Sequence, residues 1–161
     1  MNDHLADLRI SRLAVHFREI GDAQMRELPF YNASLEVEAF DFSRFGDDQL
    51  IGVLITPWFM NLVLLPLDYV AVDANRYGKS RSFALPGGGI EFRYGGDEVV
   101  GSFWAHSLHS PMHKFASQTH ARSEARIRLA EAMQSPQTRP AVPSPGRRAF
   151  LTGGGSSDGR R

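Results

Sequence analysis

Three histidines, His106, His109 and His113, fall close together in the chain, and imidazoles in such numbers are potential ligands for a first-row transition metal. Their spacing argues against a shared site. Pro111 separates His109 from His113, and no Asp or Glu lies between them to complete or orient a ligand set. Surface or hydrogen-bonded histidines are the favoured reading. Ser110 follows His109 directly but stands in no recognisable acyl-transfer context, and no carboxylate pair, Ser/His/Asp order or nucleophile elbow stands out. The chain has no cysteine, which excludes disulfides, thiol nucleophiles and Cys-ligated zinc or iron–sulfur centres. The glycine run Leu85-Pro86-Gly87-Gly88-Gly89 lacks the Gly-Lys-Ser/Thr ending of a phosphate loop, and Ile90 onward alternates as a strand rather than opening a helix. It reads as a strand-to-strand turn that needs positive φ. Catalysis is therefore not expected, and neither a cofactor nor a bound metal is called for.

Binding chemistry has better candidates. Thr56-Pro57-Trp58-Phe59-Met60 interrupts two apolar runs, and Pro57 cannot donate to a sheet ladder, so the chain must turn there and place Trp58 and Phe59 near a hairpin tip. Either the two rings fold back into the core or they anchor a partner. Met60 and Met112 supply the adaptable apolar surface that suits a groove for a variable peptide. The candidate binding set is Thr56, Pro57, Trp58, Phe59, Met60, Pro86, Gly87, Gly88, Ser110, Pro111 and Met112. In this set the glycine loop offers backbone groups for pairing with an extended peptide.

The elements that must position these residues are readable from periodicity. Ala6, Ile10, Leu13, Phe17 and Ile20 recur at helical steps, with Arg9, Arg12, His16 and Glu19 largely on the other side; the helix should end near Arg26, before Pro29. Six short strands follow, over 35–42, 50–56, 60–65, 81–85, 90–94 and 99–106. The first carries a phase slip between Ala39 and Phe40 that suggests a bulge. Turns are expected at Phe45-Gly46-Asp47-Asp48 and Tyr94-Gly95-Gly96-Asp97. The second and third strands are apolar on both faces, as strands sandwiched by helices are. Ile90, Phe92 and Tyr94 alternate with Glu91 and Arg93, which gives that strand one wet face. A second helix, 117–133, has Ser117 as its cap and Ala125, Leu129 and Met133 on one face. The expected fold class is α+β: an antiparallel sheet of about five or six strands flanked by N- and C-terminal helices.

At 161 residues, 42% of them hydrophobic, the chain suits one domain, expected at 1–134. Residues 135–161 form a Pro/Gly/Arg-rich tail expected to be largely flexible, although Phe150 and Leu151 after Arg147 and Arg148 are suited to docking. The 18 basic and 18 acidic residues balance overall, but this tail holds five arginines against one acid, which leaves 13 basic and 17 acidic residues in the body. So acidic a body is a poor binder of polyanions, and no nucleic-acid partner is expected. The acidic N-terminus is unlike a signal peptide and no apolar run approaches membrane-spanning length, so a cytoplasmic location without stable membrane association is expected.

Four blocks occur in order along the chain: Ile55–Leu65, Leu85–Phe92, Ser107–Met112 and Gly146–Gly153. In these blocks and their order the sequence resembles the HybE/HupJ family of nickel-iron hydrogenase assembly chaperones. The resemblance implies a non-catalytic chaperone that holds hydrogenase subunits until assembly is complete. The client it implies first is the small-subunit precursor with its twin-arginine signal. The large subunit and a rubredoxin-like accessory protein are the further partners it suggests. The alternative function is a nickel- or iron-handling accessory protein that uses the histidine cluster.

Overall fold

In a computed structural model the described residues are 3–135. The tail assigned to 135–161, with its Gly146–Leu151 block, lies outside the described residues except for Ser135.

Helix α1 spans Asp3–Ile20 and runs into one π-helical turn, Gly21–Met25, capped at Arg26, which is where the helical pattern was expected to stop. The strands are β1 (Glu38–Phe45), β2 (Gln49–Ile55), β3 (Met60–Pro66), β4 (Ser80–Leu85), β5 (Gly88–Asp97) and β6 (Gly101–His109). A short 3-10 turn, Ala74–Arg76, precedes β4, and helix α2 (Gln118–Met133) closes the described chain. As expected, the Ser117 hydroxyl caps α2 by accepting from the His120 amide at 3.1 Å.

All six strands form one antiparallel sheet in the order β1-β2-β3-β6-β5-β4, two three-stranded meanders joined along β3 and β6. The α+β class expected from the sequence is thus the fold observed. Strands β2 and β3 are interior strands and bury side chains on both faces. Ile51, Val53, Ile55, Met60, Leu62 and Leu64 pack towards Ala121, Ala125 and Ala132 of α2. Leu50, Leu54, Val63 and Leu65 pack towards Leu13 and Ala14 of α1. Each such aliphatic side chain contributes roughly 1.5–3 kcal/mol when fully buried, so this double-faced hairpin dominates the stability.

Three local expectations are corrected. The first strand begins at Glu38 rather than Leu35, because Asn32 turns the preceding chain by accepting from the Ser34 and Leu35 amides. Its bulge sits at Asp41-Phe42, between the pairs Phe40↔Val53 and Ser43↔Ile51, and Asp41 takes φ 56°. The Phe42 ring then lies over Gly52, where a Cβ would meet it at 2.4 Å. Second, Tyr94–Asp97 is strand, not turn. Gly96 is there because its missing Cβ would stand 2.0 Å from the Gly101 carbonyl oxygen; the turn is Glu98–Val100, held by Asp97 Oδ1 accepting from the Val99 and Val100 amides, both at 3.0 Å. Third, β6 runs on to His109, so His106 lies within a strand rather than at its end.

The glycine run makes the turn expected of it: Pro86-Gly87 links the paired residues Leu85 and Gly88, and Gly88 takes φ 132°. Before Arg93, over Gly88–Phe92, β5 pairs with β4 alone, so this hairpin extends past its pairing with β6. Its tip rests on the end of α2, where the Gly87 amide donates to the Ala132 carbonyl at 2.9 Å and satisfies one of the free carbonyls of the last turn. A Cβ on Gly87 would stand 1.9 Å from the Glu131 carbonyl oxygen, whereas one on Gly89 would meet only Ser82 Oγ at 3.7 Å. Gly87→Ala is therefore expected to destabilise by about 2 kcal/mol or more, and Gly89→Ala by less than about 1 kcal/mol, in denaturant titrations. Equal effects would show that the tip does not dock.

Candidate functional site

Thr56–Met60 and Ser110–Met112 come together at one end of the sheet, and Asn32 joins them. The Asn32 amide donates to the Pro57 carbonyl at 2.9 Å, while its Nδ2 donates to the carbonyls of Met112 at 2.9 Å and Phe115 at 2.8 Å. Thr56 Oγ1 accepts from the amides of Trp58 (3.1 Å) and Phe59 (2.9 Å) and donates to the Phe59 carbonyl (3.1 Å), which closes the turn. Pro86, Gly87 and Gly88 are not part of this cluster, since their hairpin rests on α2.

Trp58 is not an open tip residue. Its side chain is only 8% exposed, stacked on Tyr31 at 6.2 Å and set edge-on to Phe59 at 5.6 Å. Phe59 in turn meets Phe17 of α1 at 5.8 Å. Gly21 makes room, since a Cβ there would stand 3.1 Å from the indole. Thr56, Pro57, Met60 and Met112 are also buried, Phe59 is half-buried, and Pro86, Gly88, Ser110 and Pro111 are exposed. These buried residues hold the architecture of this end of the sheet.

The histidines take separate partners. His106 Nδ1 lies 2.9 Å from the Glu91 carbonyl, His109 Nε2 lies 2.7 Å from Glu124 Oε2, and His113 is exposed. Arg128 first, then His109, holds the Glu124 carboxyl below its usual range. Among the described residues no three His, Cys, Asp or Glu side chains are grouped to hold a metal ion.

An apolar surface that the periodicity reading passed over runs along the outside of α1. One recess of about 500 Å3 lies between Leu5, Leu8 and Arg12 of α1 and Leu67, Asp68, Tyr69, Glu98 and Val99. A second, of about 360 Å3, shares Leu8, Arg12 and Val99 and continues past Val15 and Glu19. Leu8 (54% exposed), Val15 (44%), Tyr69 (51%) and Val99 (45%) form its apolar lining. Leu8 and Val15, seven residues apart on α1, are the one sequence signal that marked it, a second apolar stripe off the core face.

Two inward side chains fix the walls, against the expectation that Arg9 and His16 face away from the core. Arg9, 6% exposed, donates from Nε to the Pro66 carbonyl and from Nη1 to the Val100 carbonyl, both at 3.0 Å, while its Nη2 is buried without a partner. Burial first, then Arg12, lowers its pKa. His16 Nε2 lies 2.6 Å from Asp97 Oδ2, the carboxylate that holds the 98–100 turn. Burial pushes the Asp97 carboxyl up, but the Val100 amide, His16 and the Val99 amide outweigh it and hold the group below its usual range. Acids (Asp68, Glu98, Glu19) and Arg12, with Ser11 and His16 in the second recess, thus stand around an apolar strip. Its chemistry is that of reversible apolar docking with charge selection at the edges.

Trp58→Ala is expected to cost about 3–5 kcal/mol of stability by opening a cavity beside α1, read as a lowered denaturation midpoint. An unchanged midpoint would return Trp58 to the surface. Because the Asp97 carboxyl is depressed in the folded state, its contribution is present above the unfolded value of about 3.9 and lost as pH falls through the folded value. The melting temperature of the native chain should therefore exceed that of Asp97→Asn at pH 7, with the gap closing as pH falls through the depressed folded value. A gap independent of pH would exclude the ionised contact.

Comparison with known proteins gives this arrangement a family. Residues 8–153 match the family described as NiFe-hydrogenase assembly, chaperone, HybE. The chain is 41% identical over 130 residues to the hydrogenase expression/formation protein HupJ of Bradyrhizobium diazoefficiens, covering 81% of this chain and 75% of that one. It is 33% identical to the probable rubredoxin HupJ of Rhodobacter capsulatus over 84% of its own length, and spans 48% of that relative. The solution structure of HybE from Escherichia coli aligns with a TM-score of 0.56 and 29% identity, over 89% of this chain and 88% of the other. The chain belongs to the HybE family of nickel-iron hydrogenase assembly chaperones.

Proposed function

We propose that this chaperone acts without catalysis in the cytoplasm, holding the hydrogenase small-subunit precursor until assembly is complete, and that the groove outside α1 is where the client docks. The observation that carries this reading is the strip Leu8, Val15, Tyr69 and Val99, exposed on a protein whose other large apolar side chains mostly fill two cores. A twin-arginine signal combines paired cations with an apolar run. Asp68 and Glu98 on the groove wall suit the former and the apolar strip suits the latter. Capture by reversible burial of apolar surface is spontaneous and needs no nucleotide. Trp58 serves this reading by packing the sheet end on the α1 side, Thr56 closes the turn that carries it, and Met60 and Met112 fill the α2 side of the same end, with Ser110 and Pro111 exposed beside them. The large subunit and a rubredoxin-like protein remain further partners of the proposal, the latter suggested by the name of the Rhodobacter capsulatus relative. The separate partners of His106 and His109 lend no support to the metal-handling alternative.

Leu8→Asp and Val15→Asp are the direct tests, because both side chains face water and neither substitution should change the melting temperature appreciably. Each should weaken binding of a synthetic twin-arginine signal peptide by about 2 kcal/mol, roughly 30-fold in Kd, by isothermal titration. Unchanged affinity in folded variants would move the client elsewhere.

A further inference from the structure

The sheet has two outer strands, β1 and β4, and it ends differently at each. On β1 the Asp41-Phe42 bulge breaks the ladder, and Gln118 of α2 bonds both the amide and the carbonyl of Glu36 just ahead of it, at 2.9 and 3.2 Å. That edge is blunted. Strand β4 has neither device: Ser80 to Leu85 pair with β5 without a shift, and Ser80, Arg81, Ser82 and Ala84 are exposed. The Tyr94 amide donates to the Lys79 carbonyl at 2.8 Å, which makes these two a bonded pair. Antiparallel bonding alternates, so Arg81, Phe83 and Leu85 turn their backbone groups to β5 while Ser80, Ser82 and Ala84 turn theirs outward. Among the described residues no hydrogen-bond partner reaches those three amides and carbonyls. We propose that this edge binds an extended segment of a partner chain that carries an apolar residue and, two residues later, a carboxylate, and that the segment joins the sheet beside β4. The seat is separate from the groove on α1 and does not depend on it.

Charge and face select that occupant. From Lys79 to Leu85 the chain carries two cations, Lys79 and Arg81, and no acid. Arg81 lies opposite Phe92 with its guanidinium 4.8 Å over the Phe83 ring, and Phe83 is half-buried against Phe92 and Trp104 at 5.4 and 5.2 Å. Arg76 stands on the same face, 4.7 Å over Tyr94, while the preceding acid, Asp73, caps the Ala74–Arg76 turn by accepting from the Asn75 amide at 3.0 Å. This face is cationic beside an aromatic ring. On the other face Glu91 and Arg93, opposite Ser82 and Ser80, offset each other and select no charge. An added antiparallel strand would bond at Ser80, Ser82 and Ala84 and form non-bonded pairs at Arg81 and Phe83, where Cα atoms stand only about 4.5 Å apart and side chains meet most closely. Running antiparallel, the partner meets Phe83 first and Arg81 two residues later, so the first position favours an apolar side chain and the second a carboxylate. A second copy of β4 would bring two more cations and no acid. Unpaired strands of a subunit not yet assembled are the class of segment that suits such an edge.

Amide hydrogen exchange on the isotope-labelled full chain tests this. Without ligand, the amides of Arg81 and Phe83 should be protected and those of Ser80, Ser82 and Ala84 should exchange freely. Acetyl-Thr-Ile-Thr-Glu-Thr-amide, titrated to millimolar concentration, should then protect Ser82 and its two outward neighbours. N-methylation of the central Thr of this probe removes a bond to Ser82 and should abolish the protection. N-methylation of its Glu, whose N–H points away from β4, should leave it intact. The Glu probe should also bind about fivefold more tightly than the same probe with Lys in place of Glu, and Arg81→Glu should reverse that order. Protection of the outward amides before any probe is added would show the edge already covered, by this chain or a second copy, and would overturn the proposal. No protection by the probe, equal loss with the two methylated probes, or equal affinity for the Glu and Lys probes would overturn it as well. The methylation contrast uses the native chain and decides the matter even if Arg81→Glu fails to fold.

Discussion

The β2–β3 hairpin places a demand on everything around it. Leu50–Ile55 and Met60–Leu65 present aliphatic side chains to both faces of the sheet, and neither face can be left in water. One helix is needed on each side, and the described residues supply one from each end, α1 and α2. The small side chains of Ala121, Ala125 and Ala132 let α2 lie close on one face. Leu13 and Ala14 of α1 do the same on the other, with Phe17 and Phe59 sealing the margin. The β4–β5 hairpin is released from the centre of the sheet and its tip is secured on α2 instead.

Polar groups within this frame join segments that apolar packing would leave loose. Asn32 links the chain before β1 to the β2–β3 turn and to the loop after β6, and each bond satisfies a backbone group that burial would otherwise penalise by about 1–3 kcal/mol. Arg9 and His16 do the corresponding work on the α1 side, joining the helix to the end of β3 and to the β5–β6 turn. Turned inward for that purpose, they leave the outer face of α1 to Leu8, Arg12 and Val15. The groove is a by-product of how the helix is anchored. Its walls are set by buried bonds, while its lining is free to meet a partner.

A surface of this kind is consistent with membership of a chaperone family. A holding protein must recognise an apolar segment, release it, and remain folded throughout. Binding residues placed outside both cores meet that requirement, because contact with them need not disturb the packing of β2 and β3. An aromatic anchor such as Trp58, packed between Gly21 and Tyr31, would couple client capture to the stability of the fold.

By itself the sequence determined the element order, the burial of β2 and β3 on both faces, the wet face of β5 and the Ser117 cap, because each follows from local periodicity or from one side chain acting on its own backbone. The resemblance in its four blocks likewise named the family. Tertiary structure decided what local pattern cannot encode. Whether Gly96 marks a turn or a close strand approach depends on Gly101, a residue on the next strand. Whether Trp58 faces water depends on Asn32, which draws a separate loop to the turn, and on Gly21, which leaves the space. The candidate groove was the least legible, since Leu8 and Val15 acquire meaning only when Arg9 and His16 turn inward and bring Val99 and Tyr69 opposite them. Charged and aromatic side chains choose between core and surface by the partners that a distant part of the chain supplies, and a linear pattern does not contain those partners.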